Sequence, residues 1–410
     1  MPARVVDGDV LTGEALLARF MALDAFLVEH QALWKPRPFT HLQLPWETSY
    51  PEMAAWLRAR SLEAAESAHN QPAFLEQARE PFASLAARSI ELSAVGQLPG
   101  YALEAAGHRL NVDVPGRKWQ QIEAFASRLS FTRPATHWLD WCSGKGHLGR
   151  RLLQTGQALT CVEYDPALVV SGQALSQRHH LIARHVEQDV LAAEVASLLS
   201  ADHTPVALHA CGDLHVRLIQ LASAVGCKQL AVAPCCYNRI GLTHYQPISS
   251  VATRSDLQLN LDDLSLPMSE TVTAGARVRR QRDTSMARRL AFELLQRQLR
   301  GLDEYLPTPS LPSAWLDKPF AEYCHHLAAL KELSTIGPQD WAAVEDAGWR
   351  RLAEVRNLEL VRGLFRRPLE LWLVLDRALF LEQQGYTVRL GTFCETPLTP
   401  RNFLLLAERD

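Results

Sequence analysis

Two short clusters hold most of the residues able to do chemistry. His209-Ala-Cys211-Gly212-Asp213-Leu214-His215 brings imidazoles, a thiol and a carboxylate together, and Ala233-Pro234-Cys235-Cys236-Tyr237-Asn238 sets two adjacent thiols before a phenol and an amide. Three chemistries suit them. The cysteines can be small apolar packers beside a bound cofactor. With His209 and His215 they can hold zinc, although adjacent and alternating pairs are not the usual chelating C-x-x-C spacing. One thiolate can instead add to a pyrimidine ring, which needs a cysteine at the end of a fourth or fifth strand. The expected role of Cys235 and Cys236 is to shape the pocket, with no metal and no covalent intermediate.

A third cluster, Asp140-Trp-Cys-Ser-Gly-Lys-Gly-His-Leu-Gly149, has the form of a ligand-binding turn between a strand and a helix. Gly144 and Gly146 let the backbone pass close to a ligand, and the following helix N-terminus offers unpaired N–H groups. Glu163 follows Gly146 by about seventeen residues and closes the next strand, where an acid can accept both ribose hydroxyls of a nucleoside. Gln188-Asp189 ends the strand after that, at the level of an adenine edge. These features point to a nucleoside cofactor. The glycine spacing is formally that of a dinucleotide-binding dehydrogenase as well.

The elements that must position these residues follow from hydrophobic texture. Residues 1–112 carry helix-period apolar spacing and read as an all-helical N-terminal region. Short apolar runs at 137–141, 159–163, 181–186, 206–210 and 229–233 then alternate with helical stretches, as in a parallel sheet buried on both faces. Helices are expected at 283–299, 312–331, 338–364 and 368–384, and a short turn joins two last strands at 387–393 and 402–407, which must be antiparallel neighbours. The layout is α/β, that of a class I S-adenosylmethionine (SAM) methyltransferase: a Rossmann-like sheet of five parallel strands plus a terminal antiparallel pair, with a helical insertion before the sixth strand. The domain division is 1–112, a SAM-binding core at 113–239, the insertion at 240–366, and 367–410 completing the core. Ligands of such sheets sit beyond the strand C-termini, so both thiol clusters open onto the crevice of Gly144. The two-residue period puts His209 and Cys211 on one face, lining the cofactor while Asp213 reaches the acceptor. The late position of the glycine run and the antiparallel ending favour methyl over hydride transfer. The Asn/Asp-Pro-Pro-Tyr/Phe pattern of exocyclic-amine methyltransferases is absent, which argues against base N-methylation.

Composition adds mainly exclusions. The chain has 410 residues, 47% hydrophobic and 21% charged, with a net charge of -3, so overall charge names no partner. Eight cysteines without repeated C-x-x-C pairs argue against a disulfide framework. The start lacks a leader-like pattern, and the longest apolar run, 369–381, is broken by Glu370, Asp376 and Arg377, so a cytoplasmic protein with no membrane association is expected. One local feature stands out. Between 271 and 300 eight arginines meet only Asp283 and Glu293, a charge of +6 that leaves -9 elsewhere. Such a stretch, within the Arg-rich segment 277–300, suits a phosphate backbone, although Phe292 is the one aromatic in it able to stack on a base.

Three segments together resemble the methyltransferase-like protein 25 group: the cofactor loop Asp140-x-Cys-x-Gly-Lys-Gly-His-Leu, His-Ala-Cys-Gly-Asp-Leu at 209–214, and Ala-Pro-Cys-Cys-Tyr at 233–237. Leu375 to Leu381 and Thr399-Pro-Arg-Asn402 are similar to that group's ending. The His-x-Cys-Gly and Pro-Cys-Cys motifs are also similar to those of the eukaryotic tRNA 2′-O-methyltransferase of the acceptor stem, whose Cys/His-rich zinc segments have no counterpart here. The resemblance implies SAM bound by Gly144, Gly146, Glu163 and Asp189, and an acceptor near Gly212, Asp213, Cys235 and Cys236. The full expected site adds Asp140, Cys142 and His209 on the cofactor side. Asp213, Cys235, Cys236 and His209 are its catalytic candidates, and Lys118, Tyr237, Asn238, Arg279, Arg280 and Arg282 face the substrate. The expected activity is SAM-dependent methylation of RNA, tRNA or rRNA, with no obligate protein partner. A protein or small-molecule acceptor and a non-catalytic SAM-fold scaffold are the alternatives, the intact cofactor residues speaking against the scaffold.

Overall fold

A computed structural model describes residues 8–105, 110–269, 276–333 and 335–410. Its one sheet has eight strands: β1 (Leu11–Thr12), β2 (His137–Trp141), β3 (Ala158–Glu163), β4 (Ala183–Glu187), β5 (His203–Cys211), β6 (Gln229–Cys235), β7 (Thr387–Thr392) and β8 (Phe403–Glu408). Their order is β1-β7-β8-β6-β5-β2-β3-β4. β2 to β6 are mutually parallel, and β8 runs antiparallel to both β6 and β7. Each apolar run of the sequence is therefore a strand, and β6, buried at every position, shows why those runs lack polar alternation. β1 departs from the all-helical reading of the first 112 residues. It pairs antiparallel with β7, and two residues are too few to show a strand period in sequence.

From β2 the chain proceeds outward through β3 to β4, then returns to the other side of β2 with β5 and β6. The order reverses between β2 and β5, and crossover helices leaving their C-terminal ends in opposite directions open a crevice there. His147–Leu152 follows β2 and Asp213–Val225 follows β5. On one side Ile122 and Phe125 of helix Gly116–Ala126 join Trp138, Leu159, Val206, Ala231 and Leu404 in a single apolar core. The largely buried helix Arg366–Gln383 packs with Glu14–Glu29, where Phe20 and Trp372 rings lie 5.3 Å apart and the Trp372 indole donates to Asp24.

Described residues 8–29, 91–269 and 366–410 form this sheet unit, and 30–90 with 276–365 form a second, helical unit. Of the boundaries expected along the chain, that at 366 lies within one residue of this division, and those at 112 and 239 do not fall on it. In the helical unit Gly348 of helix Trp341–Gly363 sits where a Cβ would meet the Ala287 carbonyl oxygen at 2.4 Å, which sets a close crossing with helix Ala276–Arg300. Four arginines of the basic stretch are spent on this unit. Arg288 pairs with Glu345 and caps the Trp315 and Lys318 carbonyls, Arg289 reaches the Thr308 carbonyl, Arg297 pairs with Glu293 and Asp303, and Arg300 bonds to Gln296. Among the described residues no helix is long and apolar enough to cross a membrane.

Behind the sheet lies a buried charged knot. Asp376 accepts from the Tyr245 hydroxyl and from the Ile248 and Ser249 amides at 3.0 and 2.8 Å. Arg377, also buried, donates to the Tyr245 oxygen at 2.7 Å and to His215 Nε2 at 3.0 Å. Removing one member leaves the other's charge uncompensated, so Asp376→Ala should cost at least about 3 kcal/mol. Urea unfolding checks this, and a loss under 1 kcal/mol would show the knot to be replaceable.

Candidate active site

The turn after β2 is built on three positive φ angles, at Cys142 (56°), Gly144 (57°) and Gly146 (73°). The glycines divide the work. A Cβ on Gly146 would meet His185 Cε1 at 2.8 Å and Cys161 Sγ at 2.9 Å, and one on Gly149 would meet Leu159 Cδ1 at 2.6 Å. Those two let the helix lie against the sheet. Nothing lies within 4 Å of the Cβ direction of Gly144, so its backbone is the part of the turn open to a ligand. Glu163 holds the turn in place, accepting from the Gly144 amide at 2.8 Å and the Asp165 amide at 3.1 Å, with its side chain only half-buried at the crevice. Asp189 is exposed one strand further out and accepts from the Leu191 amide. Asp140 faces inward instead. It is buried, accepts from the Gly149 amide at 2.9 Å, and burial pushes its carboxyl up to about 7 against the pull of that bond and of Arg150. Asp140 thus braces the turn rather than lining the crevice.

Opposite the turn, the ends of β5 and β6 interlock. The register shifts between Leu208 and Cys211, so β5 carries an extra residue there. His209 adopts φ 71° in this bulge. The bulge breaks the two-residue period that would put His209 and Cys211 on one face. Gly212 follows, with φ 54°, and donates its amide to the Cys235 carbonyl at 3.1 Å. A Cβ on Gly212 would stand 1.9 Å from the Arg239 carbonyl oxygen, so no other residue fits. Asp213 seals the junction: its amide donates to that Arg239 oxygen at 3.0 Å and its carboxylate accepts from the Gly241 amide at 2.7 Å.

This junction draws Cys211, Cys235 and Cys236 together, with all three sulfurs within 4.8 Å of one another and Cys211 Sγ 3.6 Å from Cys235 Sγ. Cys235 is buried, and Cys211 and Cys236 are partly exposed. Within the triad the neighbouring Cys211 and Cys235 thiols, with help from Arg239, draw the Cys236 thiol below its usual range. Cys235, enclosed and with its thiol toward the Ala210 carbonyl, is held protonated, and at Cys211 the lowering pull of Cys235 is outweighed by Cys236 and burial, which raise it to about 11. Cys142 borders the cluster from the turn after β2: burial raises its thiol, and the charges of Glu163, Asp140, Cys211 and Asp189 add to the effect.

His209 Nε2 lies 2.7 Å from Gln121 Oε1, and desolvation together with the Lys118 charge holds its imidazole below the usual range. Lys118 and Gln121 share helix Gly116–Ala126, which brings the Lys118 charge to His209 and adds Gln121 and, from the loop after β6, Arg239, neither of which carries a motif that would reveal it. Other expected residues lie elsewhere. Tyr237 is buried, with its hydroxyl on Glu370 at 3.2 Å, so it does not line the crevice. His215 is buried behind the junction, its Nδ1 3.0 Å from the Ala210 carbonyl and its Nε2 taken by Arg377, which leaves no nitrogen for a metal. Asn238 is half-buried and donates to Ser265. Arg279, Arg280 and Arg282 are exposed and belong to the helical unit.

An open glycine turn at the point where the strand order reverses, with an acid at the end of the neighbouring strand, lies where α/β sheets take their ligands, beyond the strand C-termini. Residues 117–242 match a family model described as a methyltransferase domain. No curated protein gives a significant match. The matched segment runs from the Lys118 helix past the Arg239 loop and contains every crevice residue named above, and the eight-stranded α/β sheet fits the class I fold. The match supports a methyltransferase domain over 117–242 of the 410 residues.

Asp140 makes a pH-dependent contribution. An unfolded aspartate titrates near 3.9, roughly, and the folded one near 7. Between these values the folded chain keeps a proton that the unfolded chain releases, so stability falls as pH rises from about 4 to about 7 and is then level. Asp140→Asn keeps an acceptor for the Gly149 amide without the charge. It should match the wild type near pH 4 and exceed it at pH 8 by up to a few kcal/mol. Urea midpoints across that range check the slope; parallel curves would remove Asp140 as its source.

Proposed function

We propose that the chain is a SAM-dependent methyltransferase that modifies RNA, with a hydroxyl as its acceptor group. The observation that carries the cofactor half is the open backbone of Gly144 beside the Glu163 carboxylate, at the switch point and inside the methyltransferase-domain match. Glu163 retains lone pairs for ribose hydroxyls, and Asp189 stands at the adenine side. Bound SAM supplies an electrophilic methyl group. His209 is the acceptor-side base. The Nε2 hydrogen is directed at Gln121 Oε1, which leaves Nδ1 as the acceptor, and the depressed imidazole is neutral at neutral pH and able to take a hydroxyl proton. Lys118 offers a cation beside it for a substrate phosphate. Asp213 positions this side by fixing the Arg239 loop.

The RNA half rests on charge. Arg277, Arg279, Arg280 and Arg282 are all exposed at one end of helix Ala276–Arg300, apart from the four arginines that hold the helical unit. Arg279 also lies near enough to Glu66 to act on its carboxyl. Such a patch suits phosphates and reads no sequence by itself.

Three measurements test the reading. Glu163→Ala should weaken SAM binding at least tenfold by calorimetry, the loss of charge-assisted bonds of roughly 1.5 to 3 kcal/mol; unchanged affinity would remove the ribose assignment. Reversing Arg279, Arg280 and Arg282 should weaken RNA binding and lower its salt slope by up to about 3, with SAM affinity intact. Label from SAM incubated with cell extract should be sensitive to RNase. Label sensitive to protease would move the acceptor to protein.

A further inference from the structure

The described residues contain one group of three or more metal-capable side chains, the thiols of Cys211, Cys235 and Cys236. We propose that these three cysteines are a zinc site with three protein ligands and an exchangeable fourth position on the crevice side. The inference rests on their geometry and is independent of the cofactor and acceptor readings.

Tetrahedral zinc with thiolate bonds of about 2.3 Å spaces its sulfurs about 3.8 Å apart. Cys211 and Cys235 stand at 3.6 Å, and the third sulfur is within 4.8 Å of both. Closing the triangle needs movement of under an ångström or so at side chains, not backbone. The backbone is already committed: β5 and β6 are paired at Cys211 and Cys235, Cys236 is turned back at φ 48°, and the Gly212–Arg239 approach locks the two loops together. This is why adjacent and alternating cysteines chelate here without a C-x-x-C spacing. Two strand ends, rather than one turn, supply the spacing.

Charge and access agree with the assignment. Binding Zn²⁺ to three thiolates gives a net charge of -1, with one proton released for each thiol that ionises. Arg239 lies close enough to act on both Cys211 and Cys236 and compensates that charge. Cys235 is enclosed, so the open side of the cluster is that of the partly exposed Cys211 and Cys236. His215, the ring that could have closed the shell from behind, is committed to Ala210 and Arg377. Three protein ligands and one open position is the arrangement of exchangeable rather than purely structural zinc, and the cluster borders Cys142 of the cofactor turn.

The full-length chain, purified under reducing conditions and dialysed against metal-free buffer, should retain one equivalent of zinc by mass spectrometry. After removal with chelator, Co²⁺ should restore a thiolate-to-cobalt charge-transfer band. Cys211→Ser and Cys236→Ser should each weaken competitive zinc binding at least about tenfold, while Cys394→Ser binds as the wild type does. Cys211 and Cys236 are partly exposed, so both variants are expected to keep the wild-type circular dichroism spectrum; if one does not, the other and the cobalt spectrum of the wild type decide. Wild-type protein that neither retains zinc nor develops the cobalt band overturns the proposal. So does metal held equally by both serine variants, or a metal-free protein in which thiol counting finds two of the three sulfurs joined as a disulfide.

Discussion

The approach of Gly212 to the Arg239 carbonyl is the contact on which the site depends. A missing side chain at one position lets two loops from neighbouring strands touch backbone to backbone, and the Asp213 amide and carboxylate then tie them at two more points. Everything chemical on that side of the crevice hangs from this junction. The bulge that turns His209 outward ends at it, the three sulfurs converge beside it, and Arg239 is held where its charge reaches them. Strain is concentrated here too. Cys142, His209 and Cys236 are non-glycine residues at positive φ, each at the C-terminal end of a central strand, and such angles persist only where surrounding structure overrides local preference.

Much of this arrangement is legible in sequence because it follows from short-range rules. Unbroken apolar runs mark the strands, the alternation with helices gives the parallel sheet, and the crevice follows from the sheet. The match across 117–242 agrees with the methyltransferase class that this layout implies. The misreadings share a cause, which is tertiary structure overriding a local rule. The two-residue period fails at His209 because a bulge adds a residue, and no side-chain pattern announces a bulge. Tyr237 follows the thiols directly, yet it is drawn under the sheet by Glu370, more than a hundred residues away in sequence. Gln121 and Arg239 have no motif; they matter through where helix and loop end up. The arginine stretch looked uniform in sequence because its partners Glu345 and Asp303 lie outside it.

Charged residues in this chain serve structure as much as surface. Asp376 satisfies two loop amides and a tyrosine in the interior, and Arg377 fixes the tautomer of His215 by taking its Nε2. That ring in turn anchors the Ala210 carbonyl, immediately before Cys211. Residues of helix Arg366–Gln383 therefore reach the site through a chain of hydrogen bonds with no apolar step.

The strand order has a consequence for how the chain folds. The partner of β6 on its outer edge is β8, whose residues 403–408 are made about 170 positions later, and β1 at residues 11–12 has to wait for β7 at 387–392. During synthesis the apolar edge of β6 stays unpaired while the 276–365 part of the helical unit emerges. Pairings of such long separation are closed slowly, because loop entropy is lost before contacts compensate it. An unpaired central strand of this kind is a template for other chains. Refolding yield should accordingly be more sensitive to protein concentration than native stability is.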